Sequence, residues 1–106
     1  MPNGFDKNWV RLCAAIDGFY ISHGKWPNRV LLFAGSIQNL KEDVFSQESF
    51  ARLVSKLELV ASESPMIAQD DEGNQYNYGN QGFPETRPLM SANDWLGIEP
   101  DGPGGG

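Results

Sequence analysis

Two side chains in the first quarter of the chain have the types used in nucleophilic catalysis, Cys13 as thiol and His23 as base. Their spacing defeats the pairing. Ten residues along one helix separate them by about 15 Å at 1.5 Å per residue, whereas a working pair needs hydrogen-bond reach. Cys13 also falls on the apolar stripe of that helix, where a cysteine acts as a small hydrophobe. A single Cys excludes an internal disulfide and a multi-cysteine metal centre. No cofactor and no metal are expected, and no residue is assigned a catalytic role.

The run Asp70-Asp71-Glu72-Gly73-Asn74 is rich in oxygen ligands. An EF-hand loop, however, needs Gly at its sixth position and Glu at its twelfth. Counted from Asp70 these positions hold Gln75 and Gln81, so the run reads as a solvated hairpin turn. Glycine-rich phosphate loops and the nucleophile elbow are absent. Gly79-Asn80-Gln81-Gly82 opens no helical pattern and reads as a loop.

What remains is recognition chemistry. His23, Lys25, Trp26 and Arg29 crowd one short segment, and Trp and Arg are enriched at interface hot spots. The competing role for Trp26 is to plug the end of the core. Tyr76 and Tyr78 flank Asn77, a spacing that sets both rings on one face of a strand. That face either lies open at a sheet edge, where a partner strand adds, or covers the helix layer. These six residues form the candidate partner-binding set.

The elements that must position them follow from periodicity. Phe5, Trp9, Leu12, Cys13, Ile16, Phe19, Tyr20 and His23 fall in one stripe about 120° wide at 100° per residue, with Ala14 and Gly18 opposite. Asp6 or Asn8 supplies the N-cap. Gly24 stops the helix and Pro27 forbids its resumption. Arg29 to Ala34 is a continuous apolar run, which predicts a central strand covered on both faces.

Ile37, Leu40 and Val44 predict a helical turn or irregular crossover. Ser46 then caps a second helix, with Phe45 and Phe50 spaced as a hydrophobic staple and Phe50, Leu53, Val54 and Leu57 on its apolar side. Glu58 to Ala61 reads as a second strand, parallel to the first. Residues 66–78 read as a β-hairpin, and Ser91 to Asp94 as the start of one helical turn. The predicted core is Trp9, Leu12, Ile16, Tyr20, Val30, Leu32, Phe50, Leu53, Leu57, Leu59 and Ile67.

The sum is a small two-layer α+β domain in the order α-β-α-β-β-β, with helices on one face of a three- to four-stranded mixed sheet. Residues 1–99 form a single domain, and the Gly/Pro tail 100–106 is expected to be disordered. In 106 residues, 40% hydrophobic and 11% aromatic content supplies one modest core. The net charge of −6 is uneven: residues 1–40 carry +2 and residues 41–106 carry −8. Such a chain suits neither nucleic acid nor a membrane surface.

With no signal-peptide pattern and one cysteine, a cytoplasmic location is expected. The function expected is a protein–protein interaction or regulatory module without catalytic activity, its partner a protein. The alternative is a small-ligand-binding domain or minor enzyme using carboxylate, Tyr or His side chains. Oligomeric state is left open, and no motif assigns the chain to a family.

Overall fold

A computed structural model describes residues 6–63, 66–82, 84 and 90–99. Element order is α1 (Asp6–His23), β1 (Arg29–Leu32), α2 (Ala34–Asn39), a π-helical turn (Leu40–Val44), α3 (Gln47–Lys56), β2 (Glu58–Ala61), β3 (Met66–Gln69), β4 (Gln75–Asn77), α4 (Tyr78–Gln81) and α5 (Ala92–Leu96). The strands form one mixed sheet in the order β2-β1-β3-β4. β1 pairs parallel with β2 and antiparallel with β3, which pairs antiparallel with β4. This is the small α+β architecture expected, with three further short helices (α2, α4 and α5) and a π-helical turn. The expected tail 100–106 lies outside the described residues.

The parallel β1–β2 pair requires a long crossover, supplied by α2, the π-helical turn and α3. The segment read from sequence as a helical turn or irregular crossover is helical over its whole length, from Ala34 through Val44. At its end the Phe45 N–H bonds the Leu40 carbonyl at 3.0 Å, the five-residue spacing of a π turn. This step leaves Leu40, Val44 and Phe45 all buried. Ser46 caps α3 as expected, accepting from the Ser49 N–H at 3.2 Å.

α1 stops at Gly24, whose φ of 74° is the left-handed conformation that glycine adopts without strain. Its Asn8 lies inside the helix rather than at the cap, and donates to Asn39 Oδ1 at 2.9 Å.

The buried side chains form one cluster. Val30, Leu32, Met66, Ala68 and Tyr76 supply it from the sheet, and Trp9, Leu12, Ile16 and Phe19 from α1. Leu40, Val44, Phe45, Leu53 and Leu57 add the crossover, and Leu96 and Ile98 close one end. Each fully buried Leu, Ile or Phe contributes about 1.5–3 kcal/mol of transfer free energy.

Three expectations change. β1 is covered on one face only: Val30 and Leu32 are buried while Arg29 and Leu31 are half-exposed. No described helix covers the second face, so the apolar run marks an interior position in strand order rather than a two-sided core. Ile67 shares that second face. Ala14 and Gly18, assigned to the outer side of α1, are buried, because α5 and the β3–β4 hairpin flank the helix.

Candidate functional site

The segment Gly24 to Arg29 joins α1 to β1 and makes a corner of the molecule with two different sides. One side is ionic. Lys25 Nζ donates to Asp70 Oδ2 at 2.9 Å and also pairs with Glu72. Arg29 pairs with Asp71, lies 3.5 Å from Glu58 Oε1 through Nε, and donates from Nη1 to the Asp70 carbonyl at 3.2 Å. The positive surplus of the first forty residues thus meets the acidic run of the β3–β4 turn.

Asp70 is the hub of that side and is 6% exposed. Its Oδ1 accepts the N–H groups of Glu72 and Asn74, each at 3.0 Å, and its Oδ2 accepts the Asn74 side-chain amide at 3.0 Å. Burial works to raise its pKa; the hydrogen bonds from Asn74 and Lys25 outweigh it and hold the carboxyl at about 2. The turn is therefore braced internally, and its anionic oxygens are spent on the fold. The hairpin predicted over 66–78 is present, with Gly73 at a φ of 91°.

The other side is aromatic. Trp26 lies between Tyr20 and Trp95, with ring centroids 4.2 Å from the first and 4.7 Å from the second. The two indoles are stacked, their planes within 5° of parallel. Lys56 Nζ stands 5.8 Å above the Trp95 ring centroid and also bonds the Trp95 carbonyl. Four elements thus converge: α1, the corner, α5 and α3. Trp26 has a neighbouring ring in both Tyr20 and Trp95, and Trp95 is in contact with both the Trp26 ring and the Lys56 ammonium. All three aromatic residues remain half-buried, so part of the stack meets solvent.

The six candidate residues divide. Lys25, Trp26 and Arg29 lie together, and His23 stands at the end of α1, its ring 4.7 Å from Phe19 and its Nε2 3.1 Å from the Gln75 carbonyl. Tyr76 is 5% exposed and covers α1 over Gly18, donating its hydroxyl to the Gly82 carbonyl at 2.8 Å. Burial, then the nearby Tyr78, pushes its phenol pKa up. Tyr78 does not share that strand face, because the chain turns into α4 at this residue. Tyr20, Lys56 and Trp95 were missed. Periodicity places Tyr20 in the core, whereas it is half-buried, and Lys56 and Trp95 are 30 and 69 positions from Trp26, with no linear pattern to join them.

Two clefts open away from this corner. A groove of about 600 Å³ runs between the π-helical turn and α3, walled by Phe45, Phe50, Ala51 and Val54. A second, of about 710 Å³, exposes the neighbourhood of Cys13 and Asp17. There burial, reinforced by the Asp17 charge, pushes the Cys13 thiol far up, so the thiolate needed for nucleophilic attack is scarce. Among the described residues no group of three or more Cys, His, Asp or Glu side chains is arranged to hold a metal ion, and no helix is long and apolar enough to cross a membrane.

No family model matches the chain, and no curated protein or solved structure matches it.

Proposed function

We propose that this chain is a non-catalytic protein–protein interaction module of the cytoplasm, with the edges of Trp26 and Trp95 at the centre of its contact surface. The carrying observation is the stacked, near-parallel pair of half-buried indoles. Large aromatic side chains held in one rotamer lose little entropy on binding, and rigid Trp anchors dominate interface energetics. The ionic side of the corner supports the same reading: Lys25 and Arg29 tie the segment to the β3–β4 turn, so Trp26 is presented from a fixed backbone. With Trp26 stacked against Trp95 and in contact with Tyr20, apolar side chains of a protein partner suit this surface better than a sugar or base needing a free Trp26 face to stack on. The single cysteine, half-buried and held as a thiol, suits a reducing compartment.

The test is capture of binding proteins from the native cell lysate at low and physiological salt, with wild type beside Trp95→Leu. Leucine keeps apolar cover on the core and removes the indole. The expected result is one stoichiometric protein lost by at least tenfold in the variant, while far-UV circular dichroism is unchanged. Equal capture by both chains would refute the assignment of this surface.

A second reading, a small-ligand site, is favoured by a cleft of about 340 Å³ in which Tyr78, Gly79 and Gly82 meet Arg11. A thermal-shift screen in which Tyr78→Phe abolishes the response to an anionic ligand would move the assignment there.

A further inference from the structure

We infer that β2 is a self-association edge, through which two copies of this chain join their sheets antiparallel into one of eight strands. β2 ends the strand order. The Glu58 N–H bonds the Asn28 carbonyl at 3.0 Å and the Ser62 N–H bonds the Leu32 carbonyl at 2.7 Å. Residues 58, 60 and 62 therefore direct their backbone groups at β1, and Leu59 and Ala61 direct theirs outward. Among the described residues no hydrogen bond reaches those outward groups. An edge of this kind is a template for another strand.

The sequence of the edge specifies a second copy of itself. With a two-fold axis at Val60, Leu59 faces Ala61 of the other copy and Ala61 faces Leu59, so each pair exchanges two backbone hydrogen bonds. Glu58 then faces Ser62 rather than another Glu58, and no like charges oppose each other directly.

A second, independent observation is the open face of the sheet. Val60, Leu31 and Ile67 are register partners and form a half-buried apolar row across three strands. The row stops at the edge with Val60. In the two-fold arrangement Val60 meets its counterpart, and the rows join into one stripe of six apolar side chains. This contact uses none of the rings of the Tyr20–Trp26–Trp95 stack, and the two residues its test replaces, Val60 and Ala61, lie outside that corner, so it stands or falls separately from the proposed function.

The experiment is sedimentation equilibrium of the purified full chain up to about 1 mM, the range suited to a small interface. The expected mass rises from 11.7 kDa toward twice that value. Ala61→Pro removes one outward N–H, which an edge strand tolerates, and should return the chain to a monomer with its circular dichroism intact. Val60→Lys places two like charges at the axis and should do the same; it decides the matter if the proline variant does not fold. A wild-type chain monomeric throughout the range overturns the inference, as does a dimer that persists in Val60→Lys.

Discussion

Gly18 lies against the ring of Tyr76: a Cβ built on the glycine would come within 2.7 Å of Cδ1 and closer still to Cε1 and Cζ. The ring cannot readily retreat, since Tyr76 is buried and its hydroxyl is bonded to the Gly82 carbonyl. At an exposed helix position Gly→Ala gains about 1 kcal/mol of propensity. Here overpacking of about 1–3 kcal/mol or more opposes it. Gly18→Ala is expected to lower the urea midpoint, and a raised midpoint would show that Tyr76 does not cover this turn of α1.

Acid should loosen the ionic side of the corner in a defined window. The Asp70 carboxyl sits at about 2 in the folded chain, below its ordinary 3.8. A depressed carboxyl pKa stabilises the fold fully above the unfolded value, and that stabilisation drains away as pH falls through the folded one. Stability measured by denaturant titration should therefore fall between about pH 4 and pH 2. Asp70→Asn should flatten that limb; an unchanged slope would place the acid sensitivity elsewhere.

The environment of Cys13 makes a kinetic prediction. Burial and the Asp17 carboxylate both disfavour the thiolate, and the thiolate is the species that reacts with disulfide reagents. Labelling by an aromatic disulfide at pH 8 should be far slower for the native chain than for the chain in urea. Comparable rates would mean the thiol is open to solvent.

Ser46 offers the simplest calibration. Its hydroxyl accepts from the Ser49 N–H at the first turn of α3. Ser46→Ala should cost about 1 kcal/mol by thermal or chemical denaturation. A loss below about 0.3 kcal/mol would mean that water replaces the cap at no penalty.

Much of the fold was legible because its signals are local. Gly24 and Pro27 end α1, Ser46 starts α3, and the acidic turn with Gly73 closes the hairpin, each through the conformational preference of one or two residues. Trp9, Leu12, Ile16, Val30, Leu32, Leu53 and Leu57 were placed in the core by periodicity and are buried there.

What failed depends on neighbours far along the chain. Gly18 and Ala14 carry too little hydrophobicity to register as core, yet their smallness is what lets the hairpin and α5 approach α1. The helix from Ala34 to Val44 was obscured because its π turn shifts the apolar period midway. Half of the candidate site was legible for the same reason: Trp26 with Lys25 and Arg29 is a local cluster. Trp95 and Lys56 reach Trp26 only through the packing of α5 and α3.

The strand order also bears on how the chain emerges from the ribosome. β1 is interior, yet both of its neighbours, β2 and β3, are encoded downstream of it. During synthesis Arg29–Leu32 has no partner strand until Glu58–Ala61 has been made, and its other edge stays open until Met66–Gln69 follows, a few seconds at about 5–20 residues per second. Among the described elements α1 alone precedes β1, so it is the first of them able to shield that apolar run on the nascent chain. Variants that loosen α1 should thus reduce yield in the cell by more than their effect on the finished fold.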